Sequence, residues 1–181
     1  SLIERLPESE VKGLAEPAVQ GKGAQLALFA GAEAEASADG EPSLYEAIVT
    51  EEQLTALVDT LRGAALISFD TETTATDALA AELVGISLAW DEGQSVYIPV
   101  GHKGESVGDQ LPRDLVISTL KPVLENPQTE KTAHNAEYDL TMLTRAGIRV
   151  SGPLFDTKIA EWLIDPSSRS LGLKALAWLR L

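Results

Sequence analysis

The sequence predicts an α/β fold, in which a sheet of short strands is flanked by amphipathic helices. Three apolar or alternating runs of strand length follow one another at 64–69, 82–90 and 95–100, with short connections between them. Apolar residues at helical spacing occur before and after these runs. Because consecutive strands with short connections usually pair with one another, the three runs favour an antiparallel meander.

The first helix is predicted between Thr50 and Gly63. Thr50 and Gln53 form the pattern of a capping box, and Gly63 provides a stop. The apolar stripe between them consists of Leu54, Leu57, Val58 and Leu61. This stripe is expected to face the core.

Helices and one further strand are predicted after the meander. They are helices near 113–125, 135–145 and 157–164, a strand at 131–133, and an amphipathic segment at 171–181. Pro122 interrupts or ends the first of these helices, Gly147 stops the second, and Asp156 caps the third. The three tryptophans are expected in the core because they lie in apolar stretches: Trp90, Trp162 and Trp178.

The composition suits one domain and an additional segment. Of the 181 residues, 44% are hydrophobic and 23% are charged. Residues 1–43 are rich in Ala, Gly and Glu and are expected to form an acidic linker, whereas 44–181 are expected to form the domain. Neither a membrane span nor a signal pattern is recognisable, so we expect a cytoplasmic protein that has no membrane partner.

The charge and the absence of cysteine restrict the function. A formal net charge of −14 argues against a module that coats nucleic acid nonspecifically, since such modules neutralise phosphates with basic side chains. This argument weakens if the acidic residues are concentrated in the linker and in a metal-binding cleft. With no cysteine, a bound metal must be held by oxygen or imidazole ligands.

Asp70 and Glu72 directly follow the apolar run at 64–69. Side chains two residues apart on an extended strand point to one face, so the two carboxylates can converge. At a separation of about 4 Å they repel by roughly 1 kcal/mol in water and by about 4 kcal/mol at an effective dielectric constant of 20. A divalent cation such as Mg²⁺ or Mn²⁺ would offset that repulsion. A solvated acidic loop is the alternative interpretation of the pair.

Several motifs in order resemble the proofreading domain of family A DNA polymerases, the type found in bacterial DNA polymerase I. Phe69-Asp-Thr-Glu-Thr73 is similar to the first exonuclease motif, and Asn135-Ala-Glu-Tyr-Asp139 is similar to the second. Glu82-Leu-Val-Gly-Ile-Ser-Leu88 and Tyr97-Ile-Pro-Val100 match the strands between them, and Phe155-Asp-Thr157 matches a later helix start. The resemblance covers 44–181 and implies a ribonuclease H-like mixed sheet, in which parallel strands accompany the meander.

The resemblance also implies a reaction and its ligands. It implies hydrolysis of the 3′-terminal phosphodiester of DNA by two divalent cations, Mg²⁺ or Mn²⁺. Asp70 is expected to bridge both ions, Glu72 to hold the ion on the nucleophile side, and Asp139 to hold the other. For Asp139, a role limited to complementing the helix dipole is the alternative from the residues alone.

The expected substrate is a single-stranded DNA 3′ end. Thr73 and Asn135 are the candidate contacts to the terminal nucleotide, and His134 and Tyr138 are candidates for lining the groove. For His134, a role as a histidine that faces solvent or packs on a neighbour is equally open. Asp156 is expected to act mainly as a helix cap.

The resemblance further implies polymerase and 5′-nuclease domains in the same parent chain. Ser1-Leu-Ile-Glu-Arg-Leu6 is similar to the end of a 5′-nuclease domain. The family's third motif, Tyr-x-x-x-Asp, is not found before Leu181, so we expect the chain by itself to be weakly active or inactive. Two alternatives stay open: a catalytically silent module that supports a polymerase, and a stand-alone 3′-5′ exonuclease that processes RNA.

Overall fold

A computed structural model describes residues 44–104, 107–168 and 171–180. Its elements alternate along the chain, with helices between most of the strands. The strands are β1 Leu44–Ala47, β2 Leu66–Thr73, β3 Leu83–Asp91, β4 Gln94–Pro99, β5 Glu130–Ala133 and β6 Leu154–Asp156. The helices are α1 Glu51–Arg62, α2 Arg113–Leu124, α3 Ala136–Ala146, α4 Thr157–Ile164 and α5 Leu173–Arg180.

The strands form one mixed sheet in the order β1-β4-β3-β2-β5-β6. β2, β3 and β4 are antiparallel neighbours, which confirms the predicted meander. β1 is parallel to β4, β5 is parallel to β2, and β6 is parallel to β5. This arrangement confirms the predicted mixed α/β sheet with flanking helices.

Helix α1 forms as its sequence predicts. The Thr50 side chain accepts a bond from the Gln53 backbone N–H, and the Gln53 side chain accepts one from the Thr50 N–H, which completes the capping box. The four stripe residues Leu54, Leu57, Val58 and Leu61 are all buried. Together with inward-facing side chains of the meander and of α2, they form the hydrophobic core.

The structure differs from the sequence-based expectation at several strands. β2 continues through the carboxylates to Thr73 instead of ending at Phe69. β1 and β6 were not predicted, because strands of four and three residues carry little apolar pattern and depend on parallel pairing with distant segments. The expected linker at 1–43 lies outside the described residues.

The expectation that all three tryptophans are buried was wrong. Trp90 packs partly buried against the core, but Trp162 is 52% exposed and Trp178 is 85% exposed. They lie on α4 and α5, whose outward faces are apolar, so an apolar neighbourhood in sequence did not imply burial here. None of the described helices combines the length and the apolar character that crossing a membrane requires.

Candidate active site

β2 presents two carboxylates on one face of the sheet. Along this strand Ile67, Phe69 and Thr71 are buried, whereas Asp70 is exposed and Glu72 is partly exposed. This alternation has the period of two that an extended strand imposes. The two acidic side chains therefore share a face, because the strand conformation persists to Thr73.

Asp139 joins them from the first turn of α3, where its side chain is 3% exposed. The pairing of β5 with β2 ends at Ser68, so no residue of β5 is paired with Thr71. Asp139 Oδ1 accepts this N–H at 2.9 Å and the Thr71 hydroxyl at 2.6 Å. The carboxylate thus ties α3 to β2, which is more than complementing a helix dipole.

The three carboxylates raise one another's pKa values. Although Asp70 as a whole residue is exposed, desolvation of its carboxyl by surrounding protein, followed by the charge of Glu72, raises its pKa. Desolvation and the charge of Asp139 raise the pKa of Glu72. Burial is also the main cause for Asp139, whose pKa rises to about 6 although the Thr71 bonds lower it; the charge of Asp70 contributes as well. The fold therefore brings together the three acidic residues that the sequence singled out.

No basic side chain within the described ranges forms an ion pair with these three carboxylates. Nor do the described residues contain three or more Asp, Glu or His groups already placed as a metal shell. Asp139 Oδ1 is directed at Thr71, while Oδ2 takes neither Thr71 bond. Hard oxygen donors without a counter-charge fit a divalent cation, and Asp70, Glu72 and Asp139 are the residues that would hold it.

Tyr97 borders the carboxylates and bonds to His102, and the sequence did not single out either as a site residue. Asp70 lies opposite Ser87 on β3, which lies opposite Tyr97 on β4, so the three occupy one row across the sheet. The Tyr97 ring leans over Gly85, where an added Cβ would lie 1.8 Å from the tyrosine hydroxyl. Burial and the charge of Glu72 raise the pKa of Tyr97 to about 12, and its hydroxyl bonds to His102 Nε2.

Two of the candidate substrate contacts, Thr73 and Tyr138, form hydrogen bonds with other groups of the protein. The hydroxyls of Thr73 and Tyr138 lie 2.5 Å apart, and both lie within hydrogen-bonding distance of the Ala75 carbonyl oxygen. They fasten the segment that follows β2 to α3. A contact from either hydroxyl to a nucleotide would have to share these bonds.

Asn135 and His134 lie where β5 passes into α3. Asn135 is exposed and has φ 69° and ψ 50°, the left-handed region, and its Oδ1 accepts a bond from Lys158 Nζ at 3.0 Å. His134 Nδ1 lies 2.8 Å from the Thr157 hydroxyl. Asn135 is therefore placed at the surface beside a lysine, whereas His134 is bonded to the start of α4 and is packed on a neighbour.

The helix-cap prediction for Asp156 is confirmed. Its carboxylate accepts the backbone N–H groups of Lys158 and Ile159 at the start of α4, at 2.8 and 3.2 Å. Thr71 and Tyr97 lie near the carboxylates and were not pointed out by the sequence. Strand alternation could have placed Thr71 on the opposite face, but no local signal predicts its bond to Asp139.

Comparisons with known proteins identify the family of this chain. A family model described as 3′-5′ exonuclease matches residues 45–179. DNA polymerase I of Chloroflexus aurantiacus is 42% identical over 157 residues, which cover 87% of this chain and 16% of that protein. DNA polymerase I of Pseudomonas aeruginosa is 36% identical over 135 residues, covering 74% of this chain and 15% of that protein. The chain thus spans only a small part of the curated relatives that it matches.

Solved structures with a similar fold include an exoribonuclease. Escherichia coli RNase D, an exoribonuclease involved in structured RNA processing, has a TM-score of 0.55 and 25% identity over 73% of this chain and 32% of its own. Brucella melitensis NrnC with bound Mg²⁺ has a TM-score of 0.50 and 23% identity, covering 63% of this chain and 52% of its own, and supports the fold alone. With a family match over residues 45–179 and 42% identity to one relative, the chain belongs to the 3′-5′ exonuclease family, in the form that occurs as a domain of DNA polymerase I.

Proposed function

We propose that the chain is the proofreading 3′-5′ exonuclease domain of a DNA polymerase I, and that it hydrolyses the 3′-terminal phosphodiester of DNA. The observation that carries the proposal is the convergence of Asp70, Glu72 and Asp139 without a basic counter-charge among the described residues. Family membership supports the reaction, and the relatives' names support the polymerase context.

The family depends on divalent metal ions. We propose two ions, Mg²⁺ or Mn²⁺, because three ionised carboxylates carry more negative charge than one divalent cation neutralises. When bound, the metal lowers the pKa of a water and stabilises the charge on the leaving 3′-oxygen. The residues proposed to hold it are Asp70 and Glu72 from β2 and Asp139 from α3. Thr71 fixes the orientation of Asp139 through its two bonds, so one ligand is already placed before metal binds.

We propose that the single-stranded 3′ end lies along the surface between Asn135 and Tyr97. Asn135 and its bonded neighbour Lys158 offer an amide and an ammonium group on one side. Tyr97, whose hydroxyl bonds to His102, borders the carboxylates on the other side. Because the net charge of −14 disfavours phosphate binding by this chain alone, the polymerase and 5′-nuclease domains are the proposed source of basic surface. The location of the protein in the bacterial cytoplasm and the linker at 1–43 remain predictions.

The decisive experiment substitutes Asp70→Ala in the full polymerase. We expect digestion of a labelled single-stranded DNA 3′ end with Mg²⁺ to be lost, while primer extension is retained. Asp59→Ala is the matched control, because Asp59 is a carboxylate on α1 whose exposed pair with Arg62 contributes little. Digestion by the Asp70 variant at the parental rate would overturn the assignment.

The same assay separates the alternatives. The structural likeness to RNase D gives the RNA-processing alternative loose support. Faster digestion of a single-stranded RNA than of the matching DNA would favour that alternative. If the parental polymerase digests neither the DNA nor the RNA 3′ end at any Mg²⁺ or Mn²⁺ concentration, the result would instead favour a catalytically silent supporting module.

A further inference from the structure

The Asp156 carboxylate lies between the N-termini of two helices. Its Oδ1 accepts the N–H groups of Lys158 and Ile159, which begin α4, and also that of Asn135 at 3.2 Å. Its Oδ2 accepts the Ala136 N–H at 2.8 Å, at the start of α3. A helix-capping side chain usually serves its own helix. Asp156 serves α4 and α3 together.

Helix α3 lacks a cap from its own sequence. Asn135 occupies the N-cap position, but its side chain makes no capping bond, and its Oδ1 accepts Lys158 Nζ instead. The left-handed conformation of Asn135 is one that L residues adopt at a cost, although asparagine tolerates it best. The bonds that Asp156 accepts from Asn135 and Ala136 supply the missing cap and hold this conformation.

Two further contacts join the same helix starts. The His134 ring bonds to the Thr157 hydroxyl, and Lys158 bonds to Asn135. The parallel pairing of β5 with β6 places Ala133 opposite Asp156, so the ends of both strands are in register. Burial disfavours an ionised Asp156, but the four N–H groups outweigh it and lower the pKa of this carboxyl.

We propose that Asp156 is a positioning residue of the exonuclease site, which fixes the start of α3 and thereby the place of Asp139 one turn further along. The consequence for the site follows from helix geometry. Asp139 is the third residue after Ala136, so a shift of the first turn moves its carboxylate relative to Thr71 and β2. This inference rests on the proposed function.

The test uses Asp156→Asn in the full polymerase. Asparagine is itself a good cap, and its single oxygen can keep the bonds of Oδ1 to the α4 backbone. Its amide nitrogen cannot accept the Ala136 N–H, so the substitution breaks that bond to α3, while the Oδ1 bonds, including the one from the Asn135 N–H, can remain. Thr50→Ala is the matched control, since it removes the cap of α1, away from the carboxylates, at a cost of about 1 kcal/mol.

Two measurements distinguish positioning from general stability. In metal-free protein, we expect backbone hydrogen exchange in 135–139 to become faster in the Asp156 variant, while the Thr50 control leaves this segment unchanged. We expect the Mg²⁺ concentration for half-maximal 3′ digestion to rise roughly 10-fold, the lower end of the effect of losing a direct hydrogen-bond partner of a metal ligand, because Asp156 acts on Asp139 through the first turn of α3. The Thr50 control is expected to keep the parental Mg²⁺ dependence.

The outcomes separate the two proposals. The positioning role alone would be overturned if the parental protein digests DNA but the Asp156 variant shows unchanged hydrogen exchange at 135–139 and an unchanged Mg²⁺ dependence. Equal shifts in the Asp156 and Thr50 variants would also overturn it, because they would show a general loss of stability. Inactive parental protein would count against the proposed function, while the exchange measurement would still test whether Asp156 fixes α3.

Discussion

Replacing Asp139 with asparagine should stabilise the metal-free protein while impairing metal binding. Burial and neighbouring carboxylates raise the pKa of Asp139 from its ordinary value of 3.8 to about 6. The difference of about 2 pKa units corresponds to roughly 3 kcal/mol, which the folded protein loses when Asp139 ionises. The raised pKa already includes the opposing effect of the Thr71 bonds, and asparagine keeps an oxygen that can accept them, so no further loss is subtracted for these bonds. We therefore expect a net gain of roughly 3 kcal/mol above pH 6.

The stabilisation expected from Asp139→Asn depends on pH. A carboxyl whose pKa is raised by folding does not lower stability at a pH below its pKa in the unfolded chain. It lowers the free energy of unfolding as the pH rises towards and through its pKa in the folded protein. The advantage of Asp139→Asn should thus be absent at about pH 4, appear between about pH 4 and 6, and be complete above pH 6. Urea unfolding of the chain in EDTA, at pH 4 and at pH 8, measures both limits.

Added Mg²⁺ provides the second arm of this experiment. A cation that binds only the folded state raises the free energy of unfolding, so the parental protein should gain stability on Mg²⁺ addition at pH 8. The Asp139 variant should gain much less, since one of the three proposed ligands has lost its charge. An Asp139 variant that is less stable than the parental protein in EDTA at pH 8 would refute the electrostatic reasoning.

Two further substitutions test contacts around the carboxylates. Gly85→Ala places a Cβ 1.8 Å from the Tyr97 hydroxyl, so the ring must move away. We expect the free energy of unfolding, measured with urea, to fall by about 1–3 kcal/mol. We also expect the pKa of Tyr97, measured by tyrosine titration, to move closer to 10. Gly108→Ala is its control, because no atom lies within 4 Å of the added Cβ, and equal losses in both would contradict the packing argument. Thr71→Val removes the hydroxyl bond to buried Asp139 and should cost about 1–3 kcal/mol at pH 8, whereas Thr55→Val on the exposed face of α1 should cost far less.

Local patterns predicted much of this fold because they act within one element. The capping box of Thr50 and Gln53 and the apolar stripe of α1 need only helical spacing, and both are present in the structure. Asp70 and Glu72 share a face because a strand alternates its side chains. The short strands β1 and β6 escaped prediction because each is held by a distant partner and not by its own pattern.

The sequence by itself determined the chemistry of the site: hard carboxylate oxygens at the end of a buried strand and in the first turn of a helix, without cysteine. Only the tertiary structure decided how those groups are held. The Thr71–Asp139 bonds join residues 68 positions apart, and Asp156 reaches Ala136 across 20 positions. Such contacts depend on the order and register of the strands, because β5 ends early enough for Asp139 to reach β2 and β6 brings Asp156 beside the start of α3. The spacing of residues along the chain does not indicate the order of the strands in the sheet.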